Sequence, residues 1–295
     1  MPMHPAAPED LHGLVEAFAG TAQAVVDLAF SLRDADLDKP TACPGWTVKD
    51  QVSHVTSIEA ALVGRPDPQV EVPAYDWIRN DIGRHMENGV ELRRPRSGKE
   101  VVSELQKVLG GRLGRLRDAS LTEETEVPGV LSDTPTTLGA LLRLRIFDTW
   151  VHEQDIREAL GRPGNLDSPA AAVSVQSVLD ALPMIVVKRV GLEPGKVLMV
   201  ELTGPVVARS GVRVEAGEEG PDGSPGKPIG KLMFAGASDE TGPIPAIGRT
   251  TSLQMSTDVF MRRAAGRRAT ADCVYTVLGD QDIARRFMDA LVVTP

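Results

Sequence analysis

"DTWVHEQDIREALGRPG", residues 148–164, ends in a helix stop, where Gly161 and Pro163 follow a run of good helix formers. The helix it closes begins near Thr136 or Thr137 and runs to Leu160. Advancing about 100° per residue from Asp148 puts Leu141, Leu144, Val151, Ile156 and Ala159 within about 80° of it. Arg145, His152 and Asp155 fall in the same arc. Arg143, Glu153, Gln154 and Arg157 take the opposite face and read as a solvated surface. An ionisable stripe therefore points inward, and burial of an ion is costly unless the ion is paired or coordinated.

Two arrangements meet that requirement. In one, Arg145, Asp148, His152 and Asp155 satisfy each other at i,i+3 and i,i+4 spacing as a structural network. In the other, Asp148 and His152 are metal ligands, since side chains four apart on a helix stand about 5–6 Å apart at Cβ. Helical histidine pairs hold zinc in this way. A third ligand must then come from elsewhere, and the chain has 5 histidines. His4 and His12 lie in or near the terminal tail, and His85 sits among charged neighbours. His54 shares the inward side of its helix with Val55, Ile58 and Ala61. It is either a hydrogen-bonded core residue or the missing ligand. His54, Asp148 and His152 together make an N/O set that suits zinc with its fourth position open, the catalytic rather than the structural pattern. Residue types alone leave both arrangements standing.

Outward from this helix, the first two-thirds of the chain reads as helical. Leu11, Leu14, Val15, Phe18, Ala22, Val25, Val26, Ala29 and Leu32 recur at helical spacing. After the turn "KPTACPGW", Thr47 with Asp50 forms a carboxylate capping box that opens a second helix, closed by Gly64 and Pro66. A third helix is expected from Tyr75 to Arg94, and a fourth is capped by Ser97 with Glu100. A sixth begins at Ser168, with Pro169 at its first position. Beyond Gly195 the texture changes. "KVLMVELTG", "GVRVEAG", "TTSLQMS" and "CVYTVLG" read as strands, "STDVFMRRAAG" and "DQDIARRFMDAL" as helices, and "GEEGPDGSPGKPIG" as a polar loop. The expected organisation is a helical bundle over 1–194 followed by a small α+β domain over 195–295.

Composition narrows the function. Apolar residues at 42% and charged residues at 25% describe a folded globular protein. The net charge of −9 argues against a nucleic-acid footprint. Two cysteines, Cys43 and Cys273, are too few for a disulfide framework and suit a reducing compartment. The N-terminus lacks the basic-then-apolar pattern of a signal peptide, and "ALPMIVVKRVG" is too short to cross a bilayer. A cytoplasmic protein without nucleic-acid or membrane partners, monomer or homodimer, is the expectation.

"TACPGWTVKDQVSHV" (41–55) together with "LRIFDTWVHEQDIREALGRP" (144–163) resembles the mycothiol-dependent maleylpyruvate isomerase family, whose N-terminal domain is a DinB-like, metal-binding helical bundle. "AAGRR" (264–268) and "VLGD" (277–280) resemble its sterol-carrier-like C-terminal domain. The resemblance implies zinc, or another divalent ion, held by His54, Asp148 and His152, with Asp148 standing where the family has glutamate. It implies mycothiol as the thiol cosubstrate and a small acidic electrophile such as maleylpyruvate as substrate. A thiol deprotonated at the open metal position adds to an electron-poor double bond, which then rotates; elimination completes an isomerisation, and retention of the adduct a transfer. Arg145 and Asp155 are the candidate residues for chemistry beside the ion. Arg145 and Arg267 are the candidate cations for an anionic substrate, and Asp155 would orient His152. For "MRRAAGRR" the plainer reading is a solvated basic helix end. The alternative function is a non-catalytic module that binds a small molecule or lipid around a structural metal.

Overall fold

Thr47 marks the step from loop to helix. Its hydroxyl accepts from the Asp50 amide, and the Asp50 carboxylate returns to the Thr47 amide, the reciprocal cap its sequence calls for. The computed structural model describes residues 3–130, 134–218, 226–234 and 249–294. Its chain divides into two compact units, Pro8–Asn165 and a second formed by the residues up to Ala7 with Leu166–Thr294.

The first unit is helical. α1 (Leu11–Phe30) is capped by Asp10 and followed by the short α2 (Asp34–Leu37). Thr47 opens α3 (Val48–Leu62). α4 (Asp81–Arg93) starts later than its sequence pattern suggests, because the Asn80 side chain caps it by accepting from the Gly83 amide. The preceding stretch is irregular. It is pinned instead by Arg93, which is fully buried and donates to Asp67 in that stretch and to Glu104. Glu104 lies on α5 (Gly98–Leu116), which the Ser97–Glu100 box opens as expected. β1 (Glu126–Val127) and β2 (Thr136–Thr137) make a minimal antiparallel pair that leads into α6 (Leu138–Leu160). Thr137 caps α6, and Gly161 closes it in the left-handed region at φ 63°.

α6 packs against both α1 and α3, so it has two inner faces. This corrects the single-faced reading of its sequence: Glu153 and Gln154, expected at the surface, are buried. Glu153 accepts from the Thr21 hydroxyl of α1, from Arg157 and from the Asn165 side chain. Conversely Leu144, expected inside, is 40% exposed.

The second unit begins earlier than residue 195. α7 (Pro169–Asp180) packs on α9 (Thr257–Ala264), so the sixth helix belongs with the sheet rather than with the bundle. α8 (Leu182–Met184) continues into a π-helical stretch, Ile185–Val190, ended by Gly191 at φ 65°. β3 (Val197–Thr203), β4 (Val207–Gly217), β5 (Gly226–Met233), β6 (Thr250–Met255) and β7 (Thr276–Leu278) form one sheet in the order β5-β4-β3-β6-β7. Only the β3–β6 pair is parallel among the described strands. Alternation places Leu198, Val200, Val212, Val214 and Leu253 in the core. α10 (Gln281–Ala290) packs on β6, and the His4 backbone bonds to Val207, which ties the N-terminal residues to this unit.

Two further sequence expectations shift here. β5 occupies the latter part of the stretch read as a polar loop, whose residues 219–225 lie outside the described ones. Cys273 ends a short helical turn, with its thiol donating to the Ala269 carbonyl, and β7 starts only at Thr276. α1 and the Pro169–Val190 stretch are long and apolar enough to span a bilayer, yet 56% and 61% of their apolar windows are buried within the protein. Core helices look the same by composition.

Candidate metal centre

α3 and α6 lie side by side, so His54 from one meets Asp148 and His152, one turn apart, on the other. His54 Nε2 is 3.3 Å from Asp148 Oδ2, and His152 Nε2 is 3.4 Å from Asp148 Oδ1. One ligand atom from each residue can be chosen so that all lie within 4.8 Å of one another. A tetrahedral zinc with bonds of about 2.1 Å needs its ligand atoms about 3.4 Å apart. Each imidazole stands at that separation from one oxygen of the carboxylate, His54 from Oδ2 and His152 from Oδ1. The shorter aspartate therefore reaches, and the residues present fit a divalent ion. Among the described residues no other three His, Cys, Asp or Glu side chains converge in this way. His4, His12 and His85 are exposed.

His54 and His152 are buried, whereas the Asp148 side chain is 27% exposed. One turn before Asp148 stands Leu144, which is exposed as well. Burial pushes His54 down to about 4, which leaves it neutral at pH 7 with a lone pair to give. Burial works the same way on His152, but the carboxylates of Asp148 and Asp155 outweigh it and raise the ring. For Asp148 burial opposes ionisation, and Arg145 and then the two histidines hold the carboxyl well below its usual range.

Arg145 joins the two arrangements that the sequence left open. Its Nη1 donates to Asp148 Oδ2 at 2.7 Å, so the ligand carboxylate is also half of an ion pair. Its Nε donates to Glu59 Oε1 at 2.7 Å, and Arg112 Nε donates to the other Glu59 oxygen at 3.2 Å. Only Nη2 of Arg145 has no protein partner among the described residues. The buried stripe is thus both a network and a cluster of candidate ligands. A carboxylate has about four lone-pair sites, so one bond to Arg145 leaves room for more.

Asp155 is fully buried, with Oδ2 3.6 Å from His152 Nδ1. Gln51 Oε1 is closer to that nitrogen. Sequence reading missed both Gln51 and Glu59, though signals existed. Gln51 precedes His54 by three residues, about 60° away on the α3 wheel. An inward Arg145 demands a carboxylate from a facing helix, and α3 offers only Asp50, engaged in the cap, and Glu59. Arg267 lies in the second unit, where its Nη1 donates to the Ala265 carbonyl. Nearby Arg263 donates to the Met288 and Asp289 carbonyls at the end of α10, and Arg262 is buried, so this basic run is not simply a solvated helix end.

Trp46 walls the site. Its ring lies 5.0 Å from that of His54 and 5.7 Å from that of His152. The Trp46 and Trp77 indoles both donate to Glu87 Oε2, at 2.8 and 3.2 Å. Between them sits Gly45 at φ 75°, and a Cβ there would overlap the Trp77 indole. Gly45→Ala is expected to cost at least about 1–2 kcal/mol from backbone handedness alone. It should also alter tryptophan emission as Trp77 moves. An unchanged urea midpoint would show that the turn is not held in this form.

Residues 18–157 match the mycothiol maleylpyruvate isomerase N-terminal domain family, a span that includes all three candidate ligands. Two crystal structures, of the mycothiol-dependent maleylpyruvate isomerase and of a histidine-to-alanine mutant, match at a TM-score of 0.53 and 13% identity. Each match covers 90% of this chain and 92% of the other, and at that identity it shows a shared fold. No curated protein matches the chain significantly.

Proposed function

We propose, from the membership of residues 18–157 in the mycothiol maleylpyruvate isomerase N-terminal domain family, that this chain is a zinc-dependent enzyme that uses mycothiol to isomerise or conjugate a small acidic electrophile of the maleylpyruvate type. The observation that carries this reading is the convergence of His54, Asp148 and His152 around a part-exposed carboxylate. A divalent ion at these residues would supply Lewis acidity and lower the pKa of a thiol brought to its free position.

The chain's own residues do the rest. His54 and His152 offer ring nitrogens from a buried face, and Asp148 offers the carboxylate at the solvent side. Arg145 holds Asp148 Oδ2 and keeps that carboxylate ionised and oriented. Trp46 keeps water off one side of the two imidazoles. We assign the substrate's anionic end to Arg145, through its Nη2, which has no partner among the described residues. Asp155 acts through His152 as a positioning residue. In the isomerisation the thiolate sulfur bonds to one alkene carbon, and the displaced electron pair moves onto the conjugated carbonyl. Rotation about the resulting single bond and loss of the thiolate restore the double bond in the trans form, so the thiol is not consumed. Two half-buried cysteines outside any disulfide among the described residues, and a thiol cosubstrate, fit a cytoplasmic setting.

The test is an assay of zinc-loaded protein with maleylpyruvate, with and without mycothiol, following both isomer and adduct. Thiol-dependent turnover that His152→Ala abolishes is expected. Full zinc occupancy with neither product formed would sink the proposal.

A further inference from the structure

His152 can serve as a ligand through Nε2 only if that nitrogen carries no proton, which obliges the proton to sit on Nδ1. A hydrogen-bond chain from the turn before α3 determines which tautomer forms. Thr41 Oγ1 donates to the Trp46 carbonyl at 2.9 Å. A hydroxyl has one proton, so with that proton committed the oxygen can only accept from its other neighbours. It accepts from the Cys43 amide at 3.3 Å and from Gln51 Nε2 at 2.7 Å. With its NH₂ end on Thr41, the Gln51 amide must turn Oε1 toward His152 Nδ1, and the two atoms are in hydrogen-bond contact. Gln51 is fully buried, so water offers it no competing partner. Asp155 Oδ2, 3.6 Å from the same nitrogen, is a second acceptor on that side, and Asp148 Oδ1, 3.4 Å from Nε2, is the acceptor that Gln51 and Asp155 together must outweigh. His54 differs: its Nδ1 is buried without a partner among the described residues.

We propose that Gln51 is a positioning residue: it accepts the Nδ1 proton of His152, holds Nε2 as the free lone pair facing Asp148, and is itself set in that sense by Thr41. The inference rests on the metal reading for its purpose but not for its geometry. Ligating histidines commonly give their second ring nitrogen to a carboxylate, carbonyl or water. Here a neutral amide does so, and it ties the ligand on α6 to the "TACPGW" turn ahead of α3.

The test uses histidine-¹⁵N-labelled, metal-free protein at a pH where the ring is neutral, with the His152 signals assigned by their loss in His152→Gln. Long-range ¹H–¹⁵N spectra of the unsubstituted protein should show a protonated Nδ1 and an unprotonated Nε2. Gln51→Leu should shift His152 toward the other tautomer and weaken zinc binding about 10–100-fold, the scale of outer-shell losses. Gln51→Glu should restore most of both. Thr41→Val, which removes the hydroxyl and keeps the shape, should relax the tautomer partway. A protonated Nε2 in the unsubstituted protein would overturn the proposal, as would a Gln51→Leu protein with unchanged tautomer and affinity. If the protein takes up no zinc while the tautomer result holds, the metal reading fails and the positioning role stands.

Discussion

His54→Ala and His152→Ala should each lower zinc affinity by on the order of 10²–10³-fold, while the unsubstituted protein takes up about one ion per chain. The magnitude follows from ligand count. Structural zinc sites bind with roughly 10–16 kcal/mol shared over four ligands, so each ligand accounts for about 2.5–4 kcal/mol. Two histidines and one carboxylate are the candidate ligands, and losing either imidazole would leave only two protein ligands. The two losses should nonetheless differ in their effect on stability. His54 Nδ1 is buried and has no partner among the described residues, so deleting that ring removes an unsatisfied group along with its packing against Trp46. His152 is bonded to Gln51, and deleting it strands a buried amide oxygen. His152→Ala should therefore be the less stable metal-free protein of the two. Calorimetric zinc titration and urea unfolding of both variants check the pair of statements. Undiminished zinc uptake in both variants would move the site elsewhere.

How far this site could be read from sequence depends on what each residue advertises. The caps were legible because a capping box is local: Thr47–Asp50, Ser97–Glu100 and Thr137 all fall where the pattern puts them. The inward stripe on α6 was legible because one face of a helix repeats every 3.6 residues. The other face was not. Glu153 and Gln154 are polar by type and buried by circumstance, since α1 covers them and Thr21, Arg157, Asn165 and the Gly164 carbonyl satisfy them. A helix with two inner faces keeps only a narrow solvent side, here Ala140, Leu144 and Glu158, which polarity alone does not pick out. The division at Asn165, not at 194, escaped for a similar reason. α7 buries an apolar face and turns Gln176 and Asp180 outward, and such a helix looks the same whether it packs on a bundle or on a sheet. β5 carries Pro228 and Gly230, which argue against a central strand; it lies at the sheet edge, where proline is tolerated. The three ligands sit on elements that sequence defines well. Gln51 and Glu59, which matter only through α3–α6 packing, needed coordinates.

Glu59→Ala should destabilise the protein by about 3–5 kcal/mol, the usual result of removing one partner from a buried ion pair. Glu59 is fully buried and holds the Nε groups of both Arg145 and Arg112. Without it, two guanidinium groups that are themselves buried lose their shared counter-ion. Arg145 still has Asp148, but Arg112 has no other carboxylate partner among the described ion pairs. The larger share of the loss should therefore trace to Arg112. Arg112→Met, made in the Glu59→Ala background, should cost much less than in the unsubstituted protein and can recover stability outright. A double-mutant cycle isolates that coupling, expected at about 1–3 kcal/mol. Glu59→Gln should fall between, because an amide oxygen still accepts one bond while the charge is gone. The 3 tryptophans, Trp46, Trp77 and Trp150, all lie in the Pro8–Asn165 unit, so their emission during urea unfolding reports on that unit. A Glu59→Ala loss below about 1 kcal/mol would mean that water reaches the two arginines and that the pair is not desolvated. Asp148 would then lean on Arg145 less than the 2.7 Å contact implies, and its setting between the two histidines would have to come from the α6 backbone alone.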